Sequence, residues 1–116
     1  MRLAKKYLFV VAMDVQPDKE ALFNEVYDTE HIPLLSKVPG VGAITRLKTE
    51  PAAFNIGGER KVLDGAGMAH YVAIYELDSP DVLLSKEWAE AAEKGRWPSE
   101  VRPYTSNRSH VVRKVL

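Results

Sequence analysis

Two stretches of this chain are apolar on both alternating parities, and that pattern limits its fold more than any other feature. Between Lys5 and Val15, Tyr7, Phe9, Val11 and Met13 hold one parity while Leu8, Val10 and Ala12 hold the other. Between His70 and Leu77, Tyr71, Ala73 and Tyr75 alternate with Val72 and Ile74. Side chains of a strand point alternately to its two faces, so a strand apolar on both must be covered on both. A chain of 116 residues has room for one domain, expected to span 1–116. Both stretches are therefore expected at the centre of one sheet.

The remaining elements fall around these two. Pro17, Asp18 and Glu20 carry the signature of a helix start, and Leu22, Phe23, Val26, Tyr27 and Leu34 continue a helical stripe to about residue 36. Pro33 removes one backbone donor, which predicts a kink or break over 29–33. Val38-Pro39-Gly40 ends the helix. A strand is expected from Val41 to about Thr49, with Val41, Ala43, Thr45 and Leu47 alternating against Arg46 and Lys48, half-exposed and near an edge. Residues 50–68, with Pro51 and four glycines, read as a long loop holding at most a short irregular ribbon around Glu59 to Leu63. Ser79 and Pro80 open a second helix with a stripe through Val82, Leu83, Trp88, Ala91 and Ala92 that ends at Gly95. Trp97 to Glu100 predict a short third helix before Pro103, and Thr105 to about Val115 predict the last strand.

The order β-α-β-β-α-β defines the fold class: α+β, ferredoxin-like, with two helices on one face of a four-stranded antiparallel sheet. The other face is bare, yet the two central strands are apolar there as well. A patch of several hundred Å² is more than soluble monomers usually expose. A second copy covering ~800 Å² per subunit would bury it. The alternative is that the long middle loop folds over the sheet.

Composition excludes several functions. Sixteen basic residues balance sixteen acidic ones, so no net field favours nucleic acid or an anionic membrane. With no cysteine there are no disulfides, thiolate metal sites or cysteine nucleophiles. The apolar run after Met1 lacks a small-residue cleavage site, and no segment approaches the ~20 residues that span a bilayer. A cytoplasmic location is the default expectation. Gly57-Gly58 lacks the ending of a phosphate loop, and no glycine-flanked nucleophile serine occurs.

The segment Tyr27-Asp28-Thr29-Glu30-His31-Ile32-Pro33-Leu34-Leu35, leading to Val38-Pro39-Gly40-Val41, resembles the first-helix signature of dimeric α/β-barrel proteins, and of their EthD-like branch in particular. The resemblance implies two subunits packing their sheets into an eight-stranded barrel, with a cleft in each subunit between sheet and helices. It also implies that His31 lies at that cleft. Members include cofactor-independent monooxygenases, isomerases, dehydratases and haem-degrading enzymes, so the likeness speaks to architecture more than to chemistry.

Candidate chemistry centres on His31. Tyr27 lies four residues earlier and would share its helix face, while Asp28, three residues earlier, would orient the imidazole and fix its tautomer. In that reading His31 is a general acid/base or a ligand hydrogen-bonding group; in the other, it caps the kink at Pro33 while Tyr27 packs as core. Trp88, Tyr75 and Arg108 are the further candidates for ligand binding, Trp88 as a stacking surface and Arg108 as a partner for a carboxylate. Trp97 offers a second stacking surface for an aromatic ligand or, beside Pro98, a loop anchor, and the anchor is the commoner role. His31, His70 and His110 have no metal-ligand spacing, so no metal site and no cofactor are expected. Two functions remain open: an enzyme acting on a small hydrophobic or aromatic compound, and a binding or accessory module without catalysis, with a haem-degrading relative as a narrower version of the first.

Overall fold

The computed structural model describes residues 3–116. Its four-stranded sheet contains β1 (Tyr7–Val15), β2 (Val41–Lys48), β5 (Tyr71–Leu77) and β6 (Thr105–Lys114), ordered β2-β5-β1-β6 and antiparallel throughout. The two doubly apolar stretches are the central pair, and β2 is an edge. This is the ferredoxin-like α+β arrangement expected.

The helical layer packs on one face. Helices α1 (Glu20–Val26) and α2 (Ile32–Ser36) follow β2's predecessor β1, and α3 (Lys86–Ala92) follows β5. Phe23, Val26, Tyr27 and Leu35 meet Val11, Met13, Ala73, Tyr75 and Leu77 in the core. The chain does not break before Pro33. Instead Tyr27–His31 forms a widened turn in which the Ile32 N–H donates to the Tyr27 carbonyl, five residues back. The helix thus absorbs the proline's missing donor by widening, as helices often do at functional positions. A second widened turn spans Trp97–Val101, just after Gly95.

Two expectations need correction. Residues 50–68 are not an irregular loop: β3 (Ala52–Ile56) and β4 (Glu59–Leu63) form a regular hairpin, in register from Ala52↔Leu63 to Ile56↔Glu59. Gly57 and Gly58, with φ of +59° and +78°, make the two-residue turn that suits the twist of paired strands. All ten hairpin residues are exposed, so the arm does not fold over the sheet. The second helix is also not continuous from Ser79. Ser79 caps only a tight turn over Pro80–Leu84, and Ser85, extended at ψ 152°, restarts the helix by accepting the Trp88 N–H at 3.1 Å.

Strand register assigns the faces. Cross-strand partners share a face, so Leu8, Val10, Ala12, Val72, Ile74 and Val111 all lie opposite the helices. On β2, Thr45 and Leu47 join them through Ile74 and Val72, while Arg46, paired with Ala73, points to the helix side. A register shift between Val41 and Ile44 splits the apolar parity of β2: Val41, paired with Leu77, and Ile44, paired with Tyr75, pack on the helix-side core, while Thr45 and Leu47 face away. One end of this bare face is closed by the chain's start, where the Ala4 and Lys5 N–H groups donate to the buried Glu76 carboxylate at 2.7 and 3.2 Å.

Candidate functional site

A cleft of about 190 Å³ opens between the sheet and the helical layer, walled by Phe9, Tyr75, Trp88 and Trp97 with His31 at its side. Each wall comes from a different element. Phe9 and Tyr75 stand on the helix-facing parity of the two central strands. Trp88 projects from α3, edge-on to Phe9 and Tyr75 at 5.9 and 5.6 Å. His31 and Trp97 come from the two widened turns, which bring their rings face to face at 4.4 Å and 20°.

His31 is 7% exposed, and its Nδ1 is enclosed with no hydrogen-bond partner among the described residues. Burial, helped by the nearby Arg102 guanidinium and opposed by Glu93, lowers its pKa to about 4. At neutral pH the imidazole is uncharged. An enclosed acceptor without a partner costs less than an enclosed N–H without one, which favours the tautomer carrying its proton on Nε2. That arrangement gives the cleft a hydrogen-bond donor rather than a strong base.

Tyr27 and Tyr75 share a hydrogen bond between their hydroxyls at 2.7 Å, and burial raises both pKa values. Tyr27 also stands edge-on to His31 and Trp97 at 5.1 and 5.0 Å. The cleft's polar floor is therefore a pair of neutral hydroxyls beside a neutral imidazole.

The structure brings His31, Tyr27, Tyr75, Trp88 and Arg108 to one cleft. Asp28 is not among them. Its carboxylate accepts from Arg46 at 2.9 Å on the outer side of the helix, with no hydrogen bond to His31. The pairing expected from three-residue spacing fails because the widened turn and the pull of Arg46 take the two side chains apart. Arg46 was expected to be a solvated strand residue; it also bonds Asn24 and lies over the Tyr27 ring at 4.6 Å.

Several lining residues are not among the candidates read from the sequence, Phe9, Trp97, Arg102 and His110 among them. Trp97 was taken for a loop anchor because Pro98 follows it; the signal for its true place, a turn that holds it against another helix, is tertiary. Arg102 is held by Glu93 through two hydrogen bonds at 2.9 and 3.0 Å. His110 stacks on Phe9 at 5.9 Å. His70 stands edge-on to Tyr71 instead, and no three metal-ligating side chains converge among the described residues.

No family model matches the sequence, and no curated protein matches it. Among solved structures, a candidate antibiotic biosynthesis monooxygenase from Bordetella bronchiseptica is similar over 97% of this chain and 99% of its own, at 14% identity and a TM-score of 0.65. An ethyl tert-butyl ether D (EthD) family protein from Bacillus halodurans matches 95% of this chain and 99% of its own, at 16% identity and a TM-score of 0.57. A variant of MhuD, crystallised with two manganese protoporphyrin IX molecules per active site, matches 95% of this chain and 94% of its own, at 14% identity and a TM-score of 0.61. The chain thus shares the ferredoxin-like α+β fold of these three proteins.

Proposed function

We propose that this protein is a small-molecule domain of enzyme type, whose cleft takes one small, planar, mainly apolar compound, with His31 as its polar contact. The observation that carries the reading is the His31 imidazole itself. It is buried against Trp97 without a protein hydrogen bond, beside an aromatic-walled space. The enclosed Nδ1 directs the proton to Nε2, and that N–H, which donates to no protein group among the described residues, is the contact a ligand oxygen would take.

The size of the space narrows the compound. A dry cavity of ~150 Å³ holds a benzene ring. About 190 Å³ of free volume suits one or two fused rings. In this reading Tyr75 and Trp88 hold the ring, and the His31 Nε2–H polarises a carbonyl or phenolic oxygen. Proton abstraction by His31 at neutral pH is disfavoured by its low basicity. A haem reading, prompted by the MhuD likeness, fits the residues poorly. A tetrapyrrole outgrows this volume.

We also propose that the protein is a homodimer through the bare sheet face. Val10, Ile74 and Thr45 lie side by side across three strands there, flanked by Leu47 and Val111, which are 44% and 37% exposed. The hairpin β3–β4 does not cover them. A second copy of the same face would.

Calorimetric titration with 2-naphthol tests the cleft. Saturable binding to the protein, weakened at least tenfold in His31→Ala, is the expected result. Equal binding by both proteins would remove His31 from the site.

A further inference from the structure

Charge in the cleft is one-sided. None of the residues lining it is acidic, whereas Arg102, Arg108 and His110 all line it. Arg102 is neutralised by Glu93, which holds it in a two-pronged pair. Arg108 has no such partner: it forms no salt bridge and no side-chain hydrogen bond among the described residues.

The strand that carries it is irregular just before it. Along β6 the pairing with β1 shifts, Ala12 facing Ser109 but Asp14 facing Ser106, so Asn107 and Arg108 together stand opposite Met13. This is a β-bulge. Asn107 takes a positive φ of 49°, and its side-chain amide donates to the Asp14 carboxylate at 3.1 Å. The other oxygen of Asp14 accepts the His70 N–H at 2.7 Å, anchoring the bulge to the adjoining loop. Bulges of this kind twist a strand locally and re-aim a side chain, and they recur beside active sites. Ordinary alternation carries Arg108 and His110, two residues apart, to the cleft face, and the bulge shifts the parity so that Thr105, three residues before Arg108, lines the same cleft.

We propose that the cleft's ligand is an aromatic acid, its ring held by Tyr75 and Trp88 and its carboxylate by Arg108, with His110 beside it. The proposal rests on the cleft being the binding site and adds the ligand's charge. A guanidinium offers a carboxylate two parallel N–H donors, the pairing that gives both orientation and strength. Walls free of acidic groups leave nothing to compete for it, and Arg108, exposed to solvent, is free to turn its guanidinium to an incoming carboxylate.

Calorimetric titration of the full chain with 2-naphthoate and with its neutral analogue 2-naphthamide tests this. The expected result is about tenfold or greater preference for the acid, in line with a charge-assisted pair. In Arg108→Gln that preference falls to within about twofold while 2-naphthamide binds as before. Arg60→Gln is the control, because Arg60 lies on the exposed hairpin strand β4, does not line the cleft, and its loss removes the same charge. It should keep the preference. Equal affinity for acid and amide overturns the proposal and leaves the cleft reading standing. A preference unchanged in Arg108→Gln, or lost equally in Arg60→Gln, overturns the assignment to Arg108. Failure of both probes to bind overturns the cleft reading as well.

Discussion

His31 and Trp97 lie face to face, 4.4 Å apart and 20° from parallel, although 66 residues separate them in the chain. Each sits on a widened helical turn, and the two turns are clamped by Glu30 and Arg96, the residues immediately before them. The Glu30 carboxylate accepts the Arg96 backbone N–H at 2.8 Å and its guanidinium at 2.6 Å, and that contact lowers the Glu30 pKa. One wall of the cleft is therefore set by a single polar clamp beside a stacked pair.

The buried imidazole makes stability depend on pH. In the unfolded chain His31 gains its proton near pH 6.5; in the folded protein it does so near pH 4. Between those values the unfolded state binds more protons, so stability is full above pH 6.5 and falls as pH drops toward 4. The loss is roughly 3 kcal/mol. Urea denaturation at pH 7 and pH 4.5 should show it, and His31→Phe, which keeps a ring against Trp97, should flatten that part of the profile. An unchanged profile in His31→Phe would assign the acid limb elsewhere.

Gly95 has φ of +71°, and a Cβ added there would lie 2.6 Å from a Glu30 carboxylate oxygen. Gly95→Ala should destabilise by about 1–2 kcal/mol from backbone strain, with a further loss from the displaced clamp. Combining it with Glu30→Ala removes the clash but leaves the strain. Thermal melts should therefore show the double variant less destabilised than the sum of the singles.

The hydroxyl pair gives a second cycle. Tyr75→Phe strands the buried Tyr27 hydroxyl and should cost about 1–2 kcal/mol. Adding Tyr27→Phe removes the stranded group, so the double variant should recover part of that loss. Strict additivity in denaturant midpoints would mean that the pair is not coupled.

The dimer proposal predicts a single oligomeric species at micromolar concentration that Ile74→Glu converts to monomer, read by sedimentation velocity. Ile74 sits between Val10 and Thr45 at the middle of the bare face, where a buried unpaired charge is strongly disfavoured. A wild-type monomer would sink the proposal outright.

What the sequence determined by itself was the architecture. Strand parity is a local property with a period of two, so the doubly apolar runs at Tyr7–Met13 and Tyr71–Leu77 declared themselves central without any tertiary information. The edge position of β2 was legible from its alternation with charged residues, whereas Ser79, read as the cap of the second helix, caps only the tight turn before it. The hairpin was missed because Pro51 and its glycines were weighed as loop signals, when Gly57-Gly58 is also a hairpin turn.

The site was decided by tertiary structure. Spacing placed Tyr27 and His31 together correctly, since a widened helical turn still carries both toward the core. The same spacing misplaced Asp28, because the deciding force was Arg46 on a strand 18 residues later. Trp97, Arg102 and His110 reach the cleft from elements far along the chain, and the charge imbalance around Arg108 exists only once those elements are assembled. Periodicity reports which face of an element is buried. Which side chains meet across that burial depends on packing distances and competing partners that no single segment encodes.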